Sequence, residues 1–218
     1  MRTVFPLTAI ALGLLCVVGC AEGGNSLDKV NGSVDVQSGM RVGNASTVNG
    51  SIDIGHDATV DSAETVNGAI DLGPHAHANT LETVNGGIQI ETAADVARGA
   101  STVNGSLQLA AGSHVGGKLE NVNGEISLDH ANVDGGIETT GGDVTIGEGS
   151  IVRGGLHVDK PHGGWFGVGT SRNPRIVIGP NAVVEGDLVF ERTVDLLVAP
   201  TAKIGKVSGA TVQPYSGK

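Results

Sequence analysis

Aromatic side chains are almost missing from this chain of 218 residues: three Phe, one Trp and one Tyr make up 2%. A conventional globular core draws much of its buried area from aromatics. The core here must therefore be assembled from Val, Ile, Leu and Ala in regular layers. Cysteine is scarce too, with Cys16 and Cys20 only. Basic residues are few: 13 Lys and Arg stand against 23 Asp and Glu, a formal charge of −10. That balance argues against nucleic acid as a partner, which needs a cationic face. It also argues against docking on anionic lipid by charge alone. No Ser-His-Asp order, Cys-His pair, phosphate loop or zinc spacing is present, so no catalytic residue, enzyme activity or cofactor is expected. What the chain has in quantity is glycine, 36 residues of it, and a repeat.

The N-terminus stands apart from the rest. Arg2 supplies a minimal positive start, and FPLTAIALGLLCVVG (5–19) is an apolar run too short to span a bilayer comfortably. It ends in Val17-Val18-Gly19-Cys20. This resembles the lipobox of bacterial lipoproteins, an aliphatic residue at −3 and a small one at −1 before a Cys. The resemblance implies a signal peptide over 1–19 and lipid attachment at Cys20, through a diacylglycerol and an N-acyl chain such as palmitate. An ordinary secretory signal cut elsewhere is the alternative. Under the lipoprotein reading Cys16 leaves with the leader, so no disulfide can form. Arg2 leaves too, and 12 bases against 23 acids give a mature charge of −11. Ala21 follows the Cys where an Asp would favour inner-membrane retention, which points to the periplasmic or surface side of the outer membrane.

From residue 30 onward the chain keeps time. The Val of a Val-Asn-Gly motif falls at 30, 48, 66, 84, 103 and 122, in steps of 18, 18, 18, 19 and 19. A fixed period of this size indicates a solenoid. Aliphatics recur every six residues (Val48, Ile54, Val60, Val66, Leu72, Ala78, Val84, Ile90, Val96). Six is a multiple of the strand period, so three segments per 18 residues describe a three-sided coil. The expected fold is all-β: a single-stranded, three-sided parallel β-helix of about nine coils, 18–19 residues each. It would occupy residues 30–212 behind a tether at 20–29 and before a tail at 213–218. Aligned columns support it: Val34, Ile52, Ile70, Ile88, Leu107 and Ile126 in one, Ala45, Ala63, Leu81, Ala100 and Leu119 in another. A third holds Met40, Ala58, Ala76, Ala94 and Ser113, of the size a tight corner needs. Each 19-residue step calls for one extra residue, near Gly99 and near Gly116-Gly117. Asn-Gly tolerates φ > 0 and would turn one side into the next. The Asn side chains at 31, 49, 67, 85, 104 and 123 would stack as an amide ladder, and Thr47, Thr65, Thr83 and Thr102 as a second.

Beyond residue 125 the wording changes but the phase holds. IGEGSIVRGGL (146–156) parallels IGPNAVVEGDL (178–188). This dialect resembles the bactofilins, bacterial polymer-forming β-helix proteins of the cytoskeleton, over roughly residues 112–210. The Val-Asn-Gly half also resembles adhesin-type solenoids of bacterial envelopes. The bactofilin resemblance implies a right-handed coil, yet an export signal is foreign to proteins of the cytoplasm or the inner membrane face. Residues 159–174 (DKPHGGWFGVGTSRNP) break the rhythm and read as a loop insertion. Trp165 and Phe166 within it are a candidate ligand contact, or a pair that covers a coil edge.

Acyltransferases with hexapeptide β-helices use a His base, but among His56, His75, His77, His114, His130, His157 and His162 only His157 reads as lying on a strand. Polysaccharide lyases need a basic cleft that 13 bases cannot readily build. His75-x-His77 is a two-ligand pair if extended, or a solvated turn. Asp35, Asp53 and Asp71 form an outward column whose repulsion a cation, or salt and solvent, would relieve; Glu64 and Glu82 pair on another face. The expected function is a lipid-anchored structural β-helix of the bacterial envelope, a scaffold, spacer or self-associating element. Its partners would be the membrane through the lipid, a second copy, or envelope protein and glycan. The alternative is an adhesin or binding module that uses a β-face or the Trp165 loop.

Overall fold

Ile52-Asp53-Ile54 shows how one side of the coil is made: two β-branched residues are buried and the acid between them faces water. A strand exposes alternate faces, so three residues suffice to place two aliphatics inside. The computed structural model describes residues 25–160 and 172–215. Every strand pairing in it is parallel, and the chain climbs from coil to coil as a β-solenoid. One sheet stacks ten such short strands, from Val34–Val36 to Val212–Pro214. The other two sides of each coil form the second, larger sheet. In the early coils a single strand runs through both sides, as in Arg41–Asn49, Thr59–Asn67 and His77–Asn85. The buried positions there are three apart (Val42 to Ala45, Val60 to Ala63), which no straight strand permits, so the strand bends between them. From Val115 to Leu119 the gap is four and the strand divides in two, His114–Val115 and Leu119–Asn123, with Gly116-Gly117 between.

The transition occurs where the 19-residue spacing begins. Ala78 pairs with Val96 but Thr80 pairs with Gly99, so Ala97 and Arg98 oppose Asn79 alone. That is the extra residue, a bulge beside Gly99. The three apolar columns hold throughout: Val34 to Ile126, Ala45 to Leu119, and Ala58, Ala76, Ala94 and Ser113 are all buried. Only Met40, at the start of the corner column, is exposed. About ten coils are stacked among the described residues, close to the number expected, and the last one closes in 16 residues (Leu196 to Val212). The stack also runs further than residues 30–212. Leu27 pairs with Ala45 at one end, and Gln213 and Pro214 pair with Leu197 and Val198 at the other.

Three expectations about the Val-Asn-Gly corner are corrected. The six-residue period marks inward positions at Ile54, Val60, Leu72, Ala78, Ile90 and Val96, but not at the motif valines. Val48 and Val66 face outward, with Val30 65% and Val48 40% exposed, whereas Thr47, Thr65, Thr83 and Thr102 are buried. The threonines do not form a ladder with one another either. Each hydroxyl donates to a glycine carbonyl one coil back: Thr47 to Gly32 at 3.1 Å, Thr65 to Gly50, Thr83 to Gly68 and Thr102 to Gly86 at 3.0 Å. A buried hydroxyl must find a partner, and threonine supplies both that donor and a methyl for the core. The third correction concerns φ. Within the motif only Gly32 and Gly124 have positive φ, and none of its asparagines does. The left-handed corner lies elsewhere, in the column Gly39, Asp57, His75, Ala93, Gly112, His130, Gly149 and Asn181, with φ between 50° and 76°.

Glycine is needed in the motif for room. A Cβ on Gly68, Gly86 or Gly105 would lie 1.9 Å from the carbonyl oxygen of the corresponding glycine one coil back. Backbone stacks on backbone there, and no methyl fits between. The Asn ladder is present as expected: Asn49, Asn67, Asn85, Asn104 and Asn123 each donate from Nδ2 to the Oδ1 of the preceding Asn, at 3.0–3.2 Å.

Candidate functional site

Among the described coils the inward positions are filled by the core, so the side chains free for chemistry there lie in the outward columns. On the ten-strand sheet Asp35 pairs with Asp53 and Asp53 with Asp71, the column then continuing as Gln89 and Gln108. The register is as the sequence predicts. Burial, then the charge of Asp53, pushes the Asp71 carboxyl above the ordinary range. Asp35 and Asp71 are two coils apart, roughly 9.6 Å. One cation can bridge neighbours in this column but cannot be held by all three.

A second column crosses the larger sheet. Glu64 pairs with Glu82, Ser101 separates Glu82 from Glu120, and Glu138 and His157 follow. Burial and then the charges of Glu64 and Glu120 raise the Glu82 carboxyl, and burial and then Glu138 raise Glu120. Lys118 relieves one end with a 3.0 Å bond to Glu138, and that bond lifts its own pKa.

A third column chains histidine to carboxylate. His77 stands 3.8 Å from Asp95, and His114 binds Asp95 through Nδ1 at 2.6 Å and Asp134 through Nε2 at 3.2 Å. Arg153 closes the chain on Asp134. The bond to Asp95 is the main reason the His114 pKa lies above its ordinary value of about 6.5. A raised folded pKa contributes stability that is fully present below the unfolded value and fades as pH rises through the folded one. Wild-type protein should therefore lose melting temperature relative to His114→Gln on going from about pH 6 to about pH 9. His114 is more than one-third exposed, so screening keeps the difference below about 1 kcal/mol. Parallel melting curves across that range would reject the ladder as a stabilising device.

The sequence placed His77 and His114 in corners or loops, but both begin strands, His77–Asn85 and His114–Val115. His75 occupies a left-handed turn with φ 57°, so His75-x-His77 is not the extended pair that two-ligand binding would need. Cys20, Trp165 and Phe166 lie outside the described residues, as do the signal peptide and most of the loop.

One cluster was not foreseen. His157, Asp159 and Glu191 bring their ligand atoms within 4.8 Å of one another, the one such group of three among the described residues. Leu156-His157-Val158 alternates in–out–in, which puts His157 and Asp159 on the same outward face. Glu191 arrives from the next coil, whose strand Leu188–Phe190 pairs with Leu156–Val158. The parallel of 146–156 with 178–188 sets Leu156 over Leu188 across the loop insertion, but it stops one residue short of His157 and leaves Asp159 and Glu191 beyond it. Burial raises the Asp159 carboxyl, against the pull of His157 and with the repulsion of Glu138 and Glu191.

Comparison with known protein families, with curated proteins and with solved structures gives no match. The chain is a parallel β-solenoid, a fold compatible with that of the bactofilins.

Proposed function

We propose that this chain is a lipid-anchored structural rod of the bacterial cell envelope, a bactofilin-like solenoid in exported form. The observation that carries this is the continuous parallel pairing of the stack from Leu27 to Pro214, which survives one bulge and one loop insertion. The Asn ladder and the runs of acidic residues recur over several successive coils, which suits spacing or scaffolding better than a localised reaction. Nine intervals between ten stacked strands give a length of roughly 43 Å. Leu27 opens the first strand seven residues after Cys20, so lipid at Cys20 would hold the rod close to its membrane. A diacylglycerol plus an N-acyl chain exceeds the two lipid signals that stable attachment needs.

A second reading, a binding module for envelope protein or glycan, is favoured by the outward valines at Val30 and Val48, both exposed beside the Asn ladder. Labelling cells with radioactive fatty acid tests the anchor: wild type takes up label and partitions into detergent, and Cys20→Ser does neither. Unlabelled wild type sinks the lipoprotein reading. Glycan binding that Trp165→Ala abolishes would favour the module over the rod.

A further inference from the structure

Two carboxylates converge on a single nitrogen of His157. Its Nε2 lies 2.9 Å from Asp159 Oδ1 and 3.7 Å from Glu191 Oε1. An imidazole nitrogen carries either one proton or one lone pair, so a proton there serves only one of these oxygens well. Among the described residues the other histidine with two carboxylates is arranged differently: His114 meets Asp95 and Asp134 through opposite ring nitrogens, as an ion-pair ladder requires. At His157 both carboxylates approach the same nitrogen, and the three ligand atoms lie within 4.8 Å of one another.

We propose that His157, Asp159 and Glu191 form a binding site for a divalent transition-metal ion, with zinc the best fit. One imidazole and two carboxylates are a donor set that zinc accepts at about 2.0–2.2 Å, in tetrahedral geometry. Donors at that radius stand roughly 3.4 Å apart, and the two nitrogen–oxygen separations lie on either side of this. A water would complete the coordination. The mixed nitrogen and oxygen set disfavours calcium and magnesium, which take oxygen ligands.

The site is held from behind by the stack. His157 sits in a strand paired on both sides, with Ile137–Thr139 and with Leu188–Phe190. The Asp159 amide donates to the Thr139 carbonyl at 2.8 Å, and the Glu191 amide to the Val158 carbonyl at 2.8 Å. The three side chains thus start from fixed backbone, which lowers the ordering cost of binding. Local charge agrees: Glu138 is the cross-strand neighbour of His157, and Lys118 is the cation paired to it. A dication therefore meets a net negative surface.

The full chain in detergent, stripped with a chelator, is titrated with zinc alone against a chromogenic competitor and melted with and without the metal. We expect one saturable equivalent and a higher melting temperature when zinc is in excess. His157→Ala should weaken binding at least about tenfold, and Asp159→Asn and Glu191→Gln should each do the same. His114→Gln should bind as wild type does. All four positions face outward, so circular dichroism of the variants should match the parent; should His157→Ala misfold, Glu191→Gln decides. The proposal is overturned if zinc does not saturate at micromolar concentration or if His157→Ala and Glu191→Gln bind like wild type. It also fails if calcium competes as well as zinc, the behaviour of a diffuse acidic surface.

Discussion

Deleting residues 66–83 leaves a folded protein with a slightly lower melting temperature, whereas deleting residues 66–74 abolishes the cooperative transition of the stack. The first deletion joins Thr65 to Val84. Thr65 and Thr83 are cross-strand partners, so Val84 takes up the position Val66 held. Asn85 then donates to Asn49 in place of Asn67, and Ile88 stacks on Ile52 in place of Ile70. Every column closes over the gap, and the two ends of the rod are unchanged. In a solenoid, stability is roughly a sum over units and the interfaces between them. One coil of ten is then worth about 1 kcal/mol of a typical total.

The shorter deletion has no such compensation. It removes Ile70–Leu72, one strand of the ten-strand sheet, while keeping His77–Asn85 of the other sheet. Ile52–Ile54 loses its partner, and the chain has no residues with which to reach Ile88–Ile90 one level higher. A partial shift cannot rescue it, because a one-residue slip turns every inward side chain outward. Circular dichroism and thermal melts of the two deletions decide the matter. Equal collapse of both would refute the 18-residue coil as the unit of folding.

How much of this was legible in the sequence follows from which forces act in columns. Ile52 and Ile54 are apolar, recur at a fixed step and face inward, so period and chemistry point the same way. The Asn ladder was equally readable, because stacked amides need only register. The corner was misread because hydropathy ranks Val48 above Thr47, although the structure buries the threonine. What decides there is the Gly32 carbonyl, which takes a donor that valine lacks and the threonine hydroxyl supplies, as the Asn121 amide does for Gly105 further along the column. Asn-Gly was read through its tolerance of positive φ, and no alignment of repeats shows how closely one coil's backbone approaches the next. The His157 cluster failed to show for a different reason. The parallel of 146–156 with 178–188 carries the 32-residue step (Val144 pairs with Ile176), but the three members lie just past the ends of those stretches, where nothing repeats.

Gly86→Ala is the sharpest test of that close approach, and should cost about 3 kcal/mol or more, at the upper end of overpacking penalties. The new Cβ would fall 1.9 Å from the Gly68 carbonyl oxygen. Neither partner can yield cheaply. The Gly68 amide donates to the Asn85 carbonyl at 3.1 Å, the Gly86 amide to Asn104 at 3.0 Å, and the Ile88 amide to Ser106 at 2.8 Å. Moving Gly86 away stretches these bonds and the ladder link between Asn85 and Asn67. Gly86→Asn separates the two explanations for the glycine. If positive φ were the requirement, Asn would be the milder replacement, since it tolerates the left-handed region. If room is the requirement, Asn brings the same Cβ and must be at least as damaging as Ala. The opposite sign is expected one corner away. Ala93 holds φ 56° without being glycine, and a Cβ in that region costs about 1–2 kcal/mol. Part of the relief in Ala93→Gly is offset by the greater freedom of glycine in the unfolded chain. A net gain of about 0.5–1 kcal/mol remains. Denaturant titrations of the three variants read both effects. A Gly86→Asn protein distinctly more stable than Gly86→Ala would return the motif to the φ explanation, and an Ala93→Gly protein weaker than wild type would remove the left-handed corner.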